Sequence, residues 1–430
     1  MSEHSDDNPF KRIIRATTLV EPNEIRATVL SFLFVFTLFT AYFTIRPVRD
    51  AMASDWSRVD TSLLWTMTFF VSIVAVSVYG FIISRARFNR VVPGVYIVFS
   101  LLFFAFYVGT QSVADSTLVD KAFYVWLSVF SLFHVSVFWT FMSGTFSRQQ
   151  APRLFAIIAT GASLGGIVGP SLAKLLTPVI GEMNLMLVAA ALLLVPLPII
   201  SSLMELKVTA LGNKDLQADL SEAKRLGKNP FSGFLVFIKN PYLVAIGVFI
   251  LMYVAMSTFV YMELRELLAE YDRAERTEIY ALIDLVVNTL TILIALFGTG
   301  RLATRFGMST TLALIPVLMI AGWLVVAAVP ALIVLYGLQV FRKTGNYAIT
   351  RPGREMLFTQ VDDETRYKAK PVIDIVVYRG GDMATAWFHT FLKDGLAFGL
   401  AGVAVVAAVI AGIWAVTGAY LGRQYNEAKE

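Results

Sequence analysis

"APRLFAIIATGASLGG", residues 151–166, and "RYKAKPVIDIVVYRGG", residues 366–381, stand about 215 residues apart, half the length of a 430-residue chain. Overlaid, they bring Gly165 and Gly166 onto Gly380 and Gly381. Two more landmarks keep the same order at nearly the same shift: "RFNR" (87–90) meets "RFGM" (305–308), and "VRD" (48–50) meets "LRE" (264–266). A single match is a coincidence, but three in order point to two parallel repeats. Each repeat holds six apolar runs of about 20 residues, the length a helix needs to cross a bilayer. Twelve spans are expected, starting near residues 27, 61, 92, 118, 152, 183, 241, 278, 308, 330, 370 and 396.

Composition agrees with a multi-pass membrane protein. The chain is 57% hydrophobic and 16% charged, with a mean hydropathy of +0.68. It has no cysteine, and its histidines are His4, His134 and His389, so no disulfide framework and no zinc or haem site of ordinary ligand spacing can be assembled. No cofactor is expected. No G-x-x-x-x-G-K-[ST] loop occurs, and "GASLGG" lacks the strand-then-helix setting of a dinucleotide fingerprint, which disfavours a built-in ATPase. Nothing suggests covalent catalysis, so an enzyme is not expected. The net charge of +5 reports orientation first, through basic cytoplasmic loops, and is not read as a sign of nucleic-acid binding. The first apolar run is too long for a signal peptide and lacks a cleavage site.

The fold class expected is an all-α membrane protein: a segment 1–25, a six-helix bundle 26–205, a polar linker 206–240, a second bundle 241–422 and a tail 423–430. Basic residues collect in the linker and in alternate short loops (Arg85, Arg87, Arg90; Arg148, Arg153; Arg301, Arg305), which puts both termini in the cytoplasm. Two parallel six-helix repeats, each with a basic loop after its second helix, form the pattern of the major facilitator architecture. In that architecture the substrate site lies between the halves near the bilayer midplane.

Ionisable groups at that depth cost roughly 2.5–3.5 kcal/mol each on insertion scales, so they normally face a cavity or a partner. Entering near Pro330, the tenth helix carries Arg342 and Lys343 about 18 Å into a layer about 30 Å thick. Lys343, Tyr347, Arg351 and Arg354 share one helical face about 80° wide, which Pro352 can bend. Arg351, Arg354 and Glu355 suit a cytoplasmic lip equally well. In the eleventh helix Lys370 and Asp374 are four apart and Arg379 and Asp382 three apart, so each pair can partly neutralise itself. Arg379 has the planar fork best suited to carboxylate or phosphate oxygens. In the eighth helix Asp284, four residues before Asn288, is either a counter-ion for these cations or a proton-coupling group.

"RPVRD" ends the first helix and "ELRE" the seventh. Arg46, Arg49 and Asp50 are therefore expected to meet Glu263, Arg265 and Glu266 as an ion-pair gate, with interfacial anchoring as the plainer alternative. Gly161, Gly165 and Gly169 recur every four residues and suit close helix packing.

Across "YFTIRPVRDAM" (42–52), "RQQAPRLFAIIATGASLGGIVGP" (148–170) and "RPGREMLFTQVDDETRYKAKPVIDIVVYRGGD" (351–382), the chain resembles the ATP/ADP exchange carriers (Tlc-type nucleotide antiporters) of plastids and intracellular bacterial parasites. More closely, it resembles their shorter relatives in free-living bacteria, within the major facilitator superfamily. The resemblance implies nucleotide exchange across the inner membrane, with basic intramembrane side chains holding the phosphates. Lys368, Lys370 and Asp374 match the family's Lys-x-Lys and Ile-Asp pattern; where those carriers continue Gly-Lys-Ser-Gly-Gly, this chain has Arg379, Gly380, Gly381 and Asp382. A lysine is missing there and a carboxylate added, which lowers the positive charge expected at the ligand. The expected function is alternating-access transport of a small anionic metabolite, a nucleotide in its most specific form. Lys343, Tyr347, Arg351, Arg354, Lys370 and Arg379 are the expected contacts. A proton-coupled transporter of another organic anion or amphiphile, and a membrane scaffold or sensor without flux, remain the alternatives.

Overall fold

The computed structural model describes residues 20–85, 88–147, 149–214, 234–297, 299–361, 369 and 372–427. All regular structure among them is helical. The first half holds α1 (Ile25–Ala53), α2 (Arg58–Arg85), α3 (Phe88–Ser112), α4 (Thr117–Thr145), α5 (Ala151–Ile180) and α6 (Leu185–Thr209). A short segment, Phe234–Lys239, leads into the second half: α7 (Pro241–Leu268), α8 (Arg273–Phe297), α9 (Thr299–Ala328), α10 (Leu332–Gly345), α11 (Tyr378–Thr390) and α12 (Leu400–Glu427). Ten of these are long and apolar enough to span a membrane unbroken.

The other two, α10 and α11, are interrupted. Alpha-helical α10 passes through a π-helical turn at Asn346–Thr350 before continuing as Arg351–Leu357. Pro352 has no N–H to give to Ala348, so the ordinary four-residue bond cannot close there. Pi-helical turns also flank α11, at Val372–Val377 and Phe391–Gly395. Such turns concentrate at functional sites because they re-aim side chains within a helix. Both interrupted helices are the ones the sequence singles out for buried charge.

Local signals set the other boundaries. Asn240 Oδ1 accepts from the N–H groups of Tyr242 and Leu243 at 3.0 and 3.3 Å, and Pro241 fills the first helical position, so α7 starts there. After α5 the chain turns at Gly181 with φ +81°, which a side chain would resist.

Each half has its own apolar core, one centred on Phe34, Phe130 and Phe138, the other on Phe249, Trp323 and Trp414. The glycine stripe of α5 lies on α1: a Cβ on Gly165 would fall 2.5 Å from the Phe36 carbonyl oxygen, and one on Gly169 2.7 Å from that of Thr40. The paired glycines of the repeat divide their work. Gly165 faces α1 of its own half and Gly166 faces Asn288 of the other; Gly381 faces Leu251 of its own half and Gly380 faces Phe69 of the other. The halves therefore meet along α5 with α8 and α2 with α11, leaving a space between them.

Candidate functional site

That space is a cavity of about 1070 Å³ bounded by both halves. Arg46 and Arg49 reach it from α1, Arg342 and Lys343 from α10, Arg351 and Arg354 from its continuation, and Arg379 from α11. Opposing them are Asp50, Glu355 and Asp382 in the wall and Asp284 directly behind Lys343, so among the described residues seven cations face four carboxylates, an excess of three positive charges.

The cations differ in how they are matched. Lys343 Nζ donates to Asp284 Oδ1 at 2.9 Å, and Arg46 Nη1 lies 3.7 Å from Asp284 Oδ2, so one carboxylate on α8 holds cations from both halves. Arg49 Nη2 pairs with Asp50 at 2.6 Å. Arg379 Nη1 stands 3.7 Å from Asp382, while its Nη2 reaches across to the Ser128 carbonyl and Ser131 Oγ at 3.3 and 3.4 Å. Arg354 pairs with Glu355 at 2.8 Å. Arg342 stands apart: it is 2% exposed, has no carboxylate partner among the described residues, and is held by Gln339 Oε1 at 2.8 and 3.3 Å with its Nη1 unpartnered. Arg351 is exposed and likewise has no carboxylate partner among the described residues.

Tyr347 and Asn288 line the cavity with these charges; Asn288 donates to the Asp284 carbonyl at 2.8 Å. Lys370 and Lys368, and the basic-loop residues Arg87 and Arg148, lie outside the described residues. So do the side chains of Asp374, Arg85, Arg90, Arg301 and Arg305. Sequence reasoning left Arg342 out of the ligand-contact set, because on an α-helix it sits about 100° from Lys343 and off the stripe of four-residue spacing. The cavity is wide enough to take both faces.

At the end of the bundle away from the termini the cavity is shut by contacts between halves. Arg58 pairs with Glu266 at 2.5 Å and Asp394 at 2.5 Å; Arg273 pairs with Asp55 at 2.5 Å and Asp120 at 2.9 Å; Arg276 also pairs with Asp55. Arg265 Nη1 donates to the carbonyls of Ala53 and Trp56 at 2.8 and 2.5 Å. The partners differ from those expected: Arg46, Arg49 and Asp50 lie deeper, in the cavity wall, and do not meet Glu263, Arg265 or Glu266. The first helix runs on to Ala53, so the charged side chains that reach the other half just beyond it are Asp55 and Arg58, beside the Ala53 and Trp56 carbonyls that meet Arg265. Glu263 turns instead to His389 at 2.9 Å and Lys393 at 3.1 Å. Glu263, Glu266 and His389 bring ligand-type atoms within 4.8 Å of one another, and Lys393 Nζ supplies positive charge 3.1 Å from both carboxylates. Toward the termini no comparable ladder of pairs between halves occurs among the described residues, and the cavity extends to Arg354 and Glu355.

Residues 28–345 match the sequence profile described as Major Facilitator Superfamily. Comparison with curated proteins finds no match. Among solved structures, the fold is similar to the nucleoside transporter NupG (12% identity, 93% of this chain and 99% of that one, TM-score 0.63). It is similar also to a bacterial homolog of the human lysosomal transporter Spinster, inward-facing and unoccupied (13% identity, 95% and 99%, TM-score 0.58). A third is the proton:xylose symporter XylE bound to 6-bromo-6-deoxy-D-glucose (9% identity, 91% and 94%, TM-score 0.56). At these identities the likeness is one of fold.

Proposed function

The chain belongs to the major facilitator superfamily and is a multi-pass membrane transporter, and we propose that its cargo is a multiply charged organic anion, in the most specific form a nucleotide taken in exchange for another. The observation that carries this reading is Arg342: a guanidinium 2% exposed, on the cavity wall, held by the Gln339 amide and lying 5.9 Å from the centre of the Tyr253 ring, with no carboxylate partner among the described residues. A buried cation without a counter-charge is costly, and an anionic cargo would complete it. The excess of three positive charges supports a cargo with several negative charges over a neutral sugar or nucleoside. Aromatic rings in the same wall, among them Tyr42, Tyr347 and Tyr378, suit a nucleotide's flat base.

Exchange follows from the same charges. Closing the cavity empty would seal uncompensated cations in a low-dielectric space, so closure is favourable only with an anion inside, whichever way the carrier turns. Lys207, Lys214 and Lys239 flank the linker at the end bearing the termini, which supports a cytoplasmic placement of that end, in the inner membrane of a bacterium. The conformation with the far end shut is then inward-facing.

Proteoliposomes loaded with labelled ADP test the proposal. Label should leave only when unlabelled nucleotide is outside; equal efflux into plain buffer overturns exchange. A proton-coupled anion transporter is the second reading, favoured by the fully buried His389 against Glu263 below the shut end. Uptake driven by a pH gradient with no counter-anion inside would select it.

A further inference from the structure

The two walls of the cavity are chemically unequal. Of the seven basic side chains that line it among the described residues, five come from the second half, whereas the first half faces them with rings. Phe39 and Tyr42, one turn apart on α1, are half-buried and reach the cavity, and His134 of α4 joins them in its wall. These rings are fixed in place. His134 stacks on Tyr42 with centroids 4.9 Å apart and planes 27° apart, and on the fully buried Phe130 at 5.0 Å and 24°; Phe39 lies 5.4 Å from His134. A surface ordered before its ligand arrives loses little on binding.

The imidazole is oriented as well as packed. His134 Nδ1 lies 3.1 Å from the Phe130 carbonyl oxygen, which can only accept, so Nδ1 carries the proton. In the neutral ring Nε2 is then a bare acceptor. It is buried, and it has no hydrogen-bond partner among the described residues. An unmet acceptor in a wall of rings selects for a flat group that brings its own N–H or O–H donor.

We propose that Phe39, Tyr42 and His134 form a second subsite of the cavity, which takes the flat, donor-bearing ring of a cargo whose anionic end lies at Arg342. The proposal rests on the reading of the cargo as an organic anion. Its consequence is mechanical: one molecule is gripped through its ring by the first half and through its charge by the second, and so ties the halves together as they close.

The test uses the purified full chain in detergent and titration calorimetry with matched probes that differ by a donor-bearing ring: ADP against pyrophosphate, 4-aminophenyl phosphate against inorganic phosphate, and 5-aminobenzene-1,3-dicarboxylate against the open-chain glutarate. At least one ring-bearing member should bind about 10-fold or more tighter than its partner, the scale of stacking one base on an aromatic side chain. His134→Leu or Tyr42→Leu should erase that advantage and leave the ring-free partner's affinity within about twofold. Tyr42→Leu keeps apolar bulk on a half-buried side chain, and it decides the matter if His134→Leu lowers the melting midpoint. No ring advantage in any pair, or equal losses for both members in the variants, overturns the subsite. If the ADP pair is silent while another pair behaves as stated, the subsite stands and the nucleotide reading falls. If no anion of either kind binds, both fall.

Discussion

Replacing Arg342 by Gln separates a residue kept for binding from one kept for stability. Its guanidinium hydrogen-bonds one neutral amide oxygen, at 2.8 and 3.3 Å, and lies against the Tyr253 ring, while Nη1 makes no hydrogen bond. A hydrogen bond to a charged group is worth about 1.5–3 kcal/mol, so Arg342→Gln should weaken anion binding by about 10- to 150-fold. Stability should move little. The variant loses the bonds to Gln339 but also the desolvation cost of a buried charge without a carboxylate partner, and the two offset each other. Lys343→Gln should behave oppositely. It strips Asp284, 2% exposed, of its 2.9 Å partner and leaves only Arg46 at 3.7 Å, a loss of about 3–5 kcal/mol. Calorimetric titration with ADP and a melting scan without ligand read the two quantities. Affinity of Arg342→Gln within about twofold of the parent, or a fall in its unliganded midpoint as large as that of Lys343→Gln, would refute the reasoning.

Asp284→Asn frees Lys343 and Arg46 for cargo, so anion affinity should rise by about fivefold or more while the rate of exchange in vesicles falls; unchanged affinity would mean that Asp284 does not compete with the anion. Because the chain has no cysteine, Ser257→Cys gives a single label site in the cavity. Adding Asp55→Asn and Glu266→Gln removes three pairs between the halves of about 0.2–1 kcal/mol each, and labelling from the end away from the termini should speed up roughly 3- to 150-fold. An unchanged labelling rate would show that these pairs do not hold that end shut. Gly165→Ala should lower the melting midpoint through a clash worth about 1–3 kcal/mol, whereas Gly380→Ala, its counterpart in the repeat, has its nearest neighbour 3.7 Å away and should be tolerated; equal effects would contradict the packing described.

Most helix starts were legible because they rest on length and hydropathy, which need no knowledge of contacts: α1 at Ile25, α7 at Pro241 and α12 at Leu400 fall within four residues of the expected starts, whereas α9 at Thr299 and α11 at Tyr378 miss the expected 308 and 370 by nine and eight. The same length rule drew attention to Lys343 and Arg379, both of which line the cavity. What the sequence hides is compensation. Lys343 and Arg342 are neighbours of like charge, and only the approach of Asp284 from a helix 59 residues away makes one matched and the other not. The ion pairs of the shut end were hidden similarly, because Asp55, Arg58 and Arg273 look like ordinary interfacial anchors until their partners from the opposite half are known. His134, a lone histidine in an apolar helix, gave no sign of the rings around it. The π-helical turns were foreshadowed only by Pro352.

The fastenings at the shut end carry a consequence of their own. Arg58, Glu266, Asp394, Arg273 and Asp55 keep between 21% and 42% of their side-chain surface in water, so each clasp is weak and dissolved ions reach it. A door held by several shallow clasps slackens in brine and tightens in dilute medium. Turnover should therefore track the ionic strength bathing that face, even while the deeper grip on the cargo, shielded from the same ions, stays nearly constant.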